Sequence, residues 1–171
     1  MSHPRELLVL RHAKSAWGTD APSDYERPLS GRGVRDAPRM GHWLAEHGLA
    51  PDAILCSPAR RARETARAAC EAAAVEDVPV VFDDRIYGAT VGELVRVLGD
   101  ARPAARRLLL VGHNPGFEEL VRWLAAEPPP VPPNGKLMPT CALAWFALPE
   151  DWEHLEPGQG VLRSITRPKE L

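Results

Sequence analysis

Four short polar runs carry most of the chemistry open to this sequence. They are Arg11-His12, Ser57-Pro58 followed by Arg60, Arg61 and Arg63, Asp83-Asp84, and Gly112-His113-Asn114-Pro115. Together they offer two imidazoles, several guanidinium groups and carboxylates, a set that forms a cationic pocket fitting a phosphoryl group. Arginine's planar fork holds phosphate oxygens two at a time, each charge-assisted bond contributing ~1.5–3 kcal/mol net. A neutral imidazole beside those arginines can attack phosphorus and carry the phosphoryl group covalently. A second imidazole can stabilise charge on the equatorial oxygens. A carboxylic acid can protonate the leaving group and later deprotonate water.

Taken singly, each group also has an ordinary reading. An Arg-His pair is common surface decoration, a run of arginines is a solvated helix face, and His113 and Asp84 suit turns. Position is what joins them. Residues 7–10, 53–56, 78–82 and 108–111 are apolar runs of buried-strand length, and each polar run follows one of them directly. Residues 141–148 predict a fifth strand and 161–166 an edge strand. Helical patterns fill 30–47, with Gly48 as its stop, then 59–74, 91–98 and 117–126. Pro38 should kink the first helix or mark its true start. The run Pro128-Pro129-Pro130-Val131-Pro132-Pro133 is a stiff connection. This alternation predicts an α/β fold, a three-layer α/β/α arrangement around a mainly parallel central sheet. In such sheets ligands bind beyond the carboxyl ends of the strands, where the strand order reverses. His3, His42, His47 and His154 have no such placement and read as surface residues. Trp17 and Trp43 are placed near the proposed mouth.

The length of 171 residues suits a single domain over 1–171 at ~150 residues per domain. The net charge of -2 argues against a general nucleic-acid partner, which would need a basic excess. Only Lys14, Lys136 and Lys169 are lysines; the other 18 basic residues are arginines. Cys56, Cys70 and Cys141 are odd in number, widely spaced and set in apolar or helical runs. They read as buried free thiols of a reducing compartment rather than as disulfides or zinc ligands. No signal h-region and no run of ~20 apolar residues is seen, so no membrane partner and a cytoplasmic location are expected. Nothing in the sequence specifies an oligomeric state.

Other phosphate-handling designs are absent. A cysteine phosphatase needs an arginine six residues after its cysteine, and those positions hold Ala62, Glu76 and Ala147. Neither a P-loop nor a Gly-x-Ser-x-Gly elbow occurs. The carboxylates are too scattered for a two-metal site, so no metal and no cofactor are expected.

From Leu8 to about Phe146 the chain resembles the histidine phosphatase superfamily, also called phosphoglycerate mutase-like, and most of all its small SixA-type phosphohistidine phosphatases. Leu8-Val9-Leu10-Arg11-His12-Ala13-Lys14-Ser15 is similar to the family signature, whose histidine is phosphorylated. Glu26-Arg27-Pro28-Leu29-Ser30 with Gly33 resembles the next SixA-type segment. Ser57-Pro58-Ala59-Arg60-Arg61-Ala62-Arg63-Glu64-Thr65 resembles the Ser-Pro-x-x-Arg-Ala-x-x-Thr block, and its spacing selects Arg61 rather than Arg60. Val111-Gly112-His113-Asn114-Pro115-Gly116 resembles the block of the second catalytic histidine, and 136–143 the last core strand.

The resemblance implies His12 as nucleophile, with Arg11, Arg61 and His113 around the phosphate. It further implies hydrogen bonds from Ser15, Asn114 and backbone N–H groups near 140. Asp84-Arg85-Ile86-Tyr87-Gly88 nominates Asp84 as proton donor, with Asp83, Asp20 and Asp24 as alternatives. Ala13 replaces the signature's glycine, so that position need not take a positive φ. Without long inserts the pocket should be open, which suits phosphohistidine on a protein. The alternatives are a phosphatase of small phosphomonoesters or nucleotides, and a catalytically weak phosphate-binding module.

Overall fold

A computed structural model describes residues 4–101 and 105–171; His3 lies outside them. Among the described residues six strands make one sheet: β1 (Arg5–Arg11), β2 (Ala53–Cys56), β3 (Val80–Phe82), β4 (Arg107–Gly112), β5 (Leu143–Leu148) and β6 (Val161–Thr166). Four helices cover it: α1 (Gly31–Glu46), α2 (Arg60–Ala72), α3 (Val91–Gly99) and α4 (Gly116–Leu124). The strand order is β3-β2-β4-β1-β5-β6. β3, β2, β4 and β1 run parallel, whereas β5 pairs antiparallel with β1 and β6 antiparallel with β5 at one side. The expected mainly parallel α/β sheet is therefore present, with an antiparallel flank.

Strand β1 shows why the layers form. Its side chains alternate between faces, so Leu7 and Val9 pack with Leu94, Leu98, Phe117 and Leu120 of α3 and α4. Leu8 and Leu10 pack instead with Met40 and Leu44 of α1 and Ala62 and Ala69 of α2. A strand buried on both faces needs a continuous apolar run, and each fully buried leucine contributes ~1.5–3 kcal/mol. Register then levels the strand ends, because Arg11 pairs with Gly112, and Cys56 with both Val111 and Phe82. The polar runs that follow these strands consequently emerge on one edge of the sheet.

Two expectations are corrected here. Helix α1 starts at Gly31 and passes through Pro38, which therefore does not mark its start. The Ser30 hydroxyl caps it, accepting from Gly33 N–H at 3.2 Å, and the Val34 carbonyl that a proline cannot bond belongs to an exposed residue. The fifth strand begins at Leu143 rather than at Cys141. Cys141 adopts a left-handed φ of 62°, and its N–H bonds the His12 carbonyl at 3.0 Å instead of entering the ladder. All three cysteines are free and buried. Burial raises their thiol pKa values, to about 11 at Cys70 and about 12 at Cys141, and upward at Cys56 as well.

Helices α1 and α2 meet at Gly41, where an added Cβ would stand 2.2 Å from the Ala69 carbonyl oxygen and 2.8 Å from the Ala72 Cβ. Alanine in a helix interior normally gains ~1 kcal/mol over glycine. Here the backbone collision reverses the sign. Gly41→Ala should destabilise by ~1–3 kcal/mol, read as a lower urea midpoint at unchanged m-value.

Candidate active site

The loops after β1, β2 and β4 extend the sheet's hydrogen bonding past the strand ends. His12 N–H bonds Gly112 O and Ser57 N–H bonds Val111 O, both at 2.9 Å. His12 and His113 are thereby brought together, their ring centroids 5.2 Å apart and both side chains buried.

Their hydrogen bonds fix what each ring can do. His12 Nδ1 lies 2.7 Å from the Ala13 carbonyl oxygen, which can only accept, so Nδ1 carries the proton in the neutral ring. Its Nε2 is left with the lone pair a nucleophile needs. His113 Nε2 lies 2.7 Å from the Ser57 hydroxyl, which already accepts from Ala59 N–H at 3.3 Å. A Ser57 hydroxyl that donates to Nε2 leaves the proton of the neutral His113 ring on Nδ1. That nitrogen is buried and has no hydrogen-bond partner, as are Arg11 Nε and Arg61 Nε. Three unpartnered nitrogens, two of them guanidinium N–H donors, describe a site that favours an oxyanion.

The guanidinium groups are held at their far ends. Arg11 Nη1 donates to the Met138 carbonyl at 3.1 Å. Arg61 is buried and donates to the Asp24 carbonyl at 2.7 Å and to Asp24 Oδ2 at 3.0 Å. Its neighbours are not part of this cluster: Arg60 pairs with Glu64 at 3.4 Å and Arg63 with Glu26 at 3.9 Å. The Arg61 choice made from spacing thus coincides with the buried arginine of the three.

Two further residues of the phosphate set are occupied by the protein itself. Ser15 Oγ accepts from Arg27 Nη1 at 2.8 Å. The Asn114 amide donates to the Met138 carbonyl at 2.9 Å and its oxygen accepts from Glu118 N–H at 3.1 Å, which ties α4 to the segment before β5. Ala13 is outside the positive-φ residues.

Among the acids, Asp24 is the one the structure sets against Arg61. It also accepts from the Tyr87 hydroxyl at 2.8 Å and from Arg27 Nε at 3.0 Å. Asp84 stands on a short 3-10 turn, Asp84–Ile86, with an exposed side chain and no ion pair among the described residues. Asp83 is committed to Arg85 at 2.7 Å, and Asp20 lines a separate hollow with Glu26 and Arg60. The sequence reading gave no role to Arg27, Ser57, Thr65 or Tyr87. All four stand inside motifs it quoted, so the signal was present but unassigned. Thr65 Oγ1 accepts from Ala13 N–H at 2.9 Å and donates to the Arg61 carbonyl at 2.7 Å, linking the histidine loop to α2. Tyr87 sets its ring edge-on to His113 at 5.4 Å. Trp17 is exposed and lies against the Arg27 guanidinium at 3.7 Å. Trp43 is not at the mouth: α1 carries it ~18 Å along its axis from Gly31, where it stacks on His47.

The electrostatics follow from this crowding. Burial, and then Arg11, Arg61 and Arg27, pull the His12 pKa down to about 4 against the opposing pull of its Ala13 hydrogen bond. Burial, then His12 and Arg61, pull His113 down to about 3. The Tyr87 hydrogen bond, followed by those from Arg27 and Arg61, holds Asp24 at about 2. At neutral pH three guanidinium groups face one carboxylate across two neutral imidazoles. A phosphoryl dianion would neutralise the excess of positive charge.

A family model described as histidine phosphatase superfamily (branch 1) matches residues 7–97. An uncharacterized protein of Mycobacterium tuberculosis (strain ATCC 25618 / H37Rv) is 34% identical over 164 residues, covering 94% of this chain and 100% of the other. A structure from Nakamurella multipartitia named for phosphohistidine phosphatase SixA superposes with a TM-score of 0.82 at 26% identity, covering 98% of each chain. The protein histidine phosphatase SixA complexed with tungstate superposes with a TM-score of 0.76 at 25% identity, covering 96% of this chain and 97% of the other.

The depressed histidine pKa values have a direct readout. In an NMR titration the ring protons of His12 and His113 should keep their neutral positions down to about pH 5. His154, raised by its hydrogen bond to Asp151, should titrate above the ordinary histidine range. Both depressed pKa values lie below the unfolded value, so the unfolded chain binds more protons there. Folding stability should fall as pH drops from about 6.5 toward 4. A His12→Gln/His113→Gln variant should lose that part of the acid sensitivity in urea titrations.

Proposed function

Because the chain belongs to the histidine phosphatase superfamily, we propose that it is a cytoplasmic phosphatase, acting as a single domain over 1–171, that hydrolyses phosphohistidine on a protein. His12 Nε2 attacks phosphorus, and the bond to the leaving nitrogen breaks with its electron pair passing to the leaving imidazole. Arg11, Arg61 and His113 Nδ1–H hold the equatorial oxygens during both transfers. Water then attacks phospho-His12, giving up a proton to a carboxylate, and orthophosphate leaves with His12 restored. No step calls on a metal or cofactor.

The observation that carries this reading is the state of the carboxylate at the site. Asp24 is held ionised by its hydrogen bonds from Tyr87, Arg27 and Arg61, so it has no proton to give to a leaving group. An alkyl phosphomonoester expels a poor leaving group and needs an acid; phosphohistidine expels a good one and does not. The likeness to SixA structures at 25–26% identity over nearly the whole chain supports the same choice.

His12→Ala should remove both the phosphoenzyme, trapped at alkaline pH, and turnover by at least ~10³-fold. Retention of either would refute covalent transfer through His12. Wild-type protein should turn over a phosphohistidine peptide faster than an alkyl phosphomonoester by ~10²–10⁴-fold, the range an acid supplies; the reverse preference would assign it to small phosphomonoesters. Asp24→Asn should let the phosphoenzyme accumulate while steady-state turnover falls. Should Asp84→Asn be the variant with that phenotype, the proton acceptor is Asp84.

A further inference from the structure

The chain has only three lysines, and all three line one pair of joined hollows beside the site. The inner hollow, about 380 Å³, has Arg11 as a wall, together with Lys14, Arg32 and Lys136. The outer one, about 280 Å³, shares Arg32, Lys136 and Thr140 with it and adds Arg167 and Lys169. These residues come from separate parts of the chain, and their convergence runs against a net charge of -2.

The acids at and beside the groove neutralise only part of it. Glu118 faces Arg122 at 3.7 Å, Glu170 faces Arg167 at 3.3 Å, and Asp36 faces Arg32 at 3.5 Å. Among the described residues Arg11, Lys14, Lys136 and Lys169 stand outside any ion pair. Lys14, Lys136 and Lys169 are exposed. Exposed lysines are mobile point charges that attract and steer an anionic surface. Tight capture of a compact second phosphate would call for buried, forked donors of the Arg61 kind.

We infer that this groove, running from Arg11 to Lys169, seats carboxylates of an acidic protein surface flanking the phosphohistidine. This rests on the reading of His12 and its neighbours as a phosphohistidine phosphatase site. The groove fixes which phosphorylated proteins are accepted, and Arg11, common to both sites, sets the register between flank and phosphoryl group. Association is faster at low salt, where the lysines are least screened.

The test uses two phosphohistidine peptides of equal length, one with glutamate flanks and one with glutamine flanks, alongside free phosphohistidine. Wild-type protein should favour the glutamate peptide roughly tenfold in kcat/KM, and the advantage should vanish near about 0.5 M salt. Lys136→Glu/Lys169→Glu should erase or invert the preference while hydrolysis of free phosphohistidine stays at the wild-type rate. Equal turnover of the two peptides by wild-type protein, or a preference that survives the double substitution, would overturn the groove while leaving the site reading intact. Failure to hydrolyse all three, with an aryl phosphate still turned over, would instead overturn the site reading and the groove with it.

Discussion

Guanidinium groups repel one another, and burial weakens the water that would screen them. The structure nevertheless collects Arg11, Arg27 and Arg61 around two buried imidazoles. Two arrangements make this tolerable. The imidazoles stay neutral, which removes two further positive charges, and Asp24 supplies one fixed negative charge shared by Arg27, Arg61 and Tyr87. What remains is a positive potential that water satisfies poorly and a dianion satisfies well. Burial first, and these guanidinium groups after it, depress the imidazole pKa values, and the same positive surroundings suit an oxyanion.

Holding that imbalance in place requires a rigid frame, and the frame is made largely of backbone. The His12 loop is fixed by its N–H to Gly112, by its carbonyl to Cys141 N–H and by Ala13 N–H to Thr65. Thr65 passes the constraint to the Arg61 carbonyl within α2. Ser57 orients His113, and Lys14 carries the Ser30 cap of α1 on its own carbonyl at 2.8 Å from Ser30 N–H. Apart from the Thr65–Arg61 bond within α2, these tethers join segments that are separate in sequence, and all of them are made by neutral groups. Preorganisation of this kind spares the cost of ordering at the moment of transfer.

Much of this was legible in the sequence because it is local. Apolar runs long enough to be buried on both faces marked β1, β2 and β4, and the polar residues directly after them could only emerge at one sheet edge. Arg61 was separable from Arg60 and Arg63 by motif spacing, and burial agrees. What stays open in the sequence depends on distant partners. Asp24, one of three alternatives to Asp84 as proton donor, is set apart only where Tyr87, 63 residues later, and Arg61 reach it. The resemblance implies a phosphate contact for Asn114, and nothing local shows that its amide also bonds Met138 and the Glu118 N–H. Cys141 read as strand because its left-handed φ, imposed by the His12 carbonyl, leaves no mark on an apolar run.

The three thiols lead somewhere else. Phosphatases whose attacking group is a thiolate must keep a sulfur ionised and reachable, and that same sulfur is consumed by peroxide. In this protein every cysteine is buried and protonated well past neutrality. With an imidazole rather than a sulfur to attack phosphorus, such a site would offer peroxide no ionised sulfur at the reacting position.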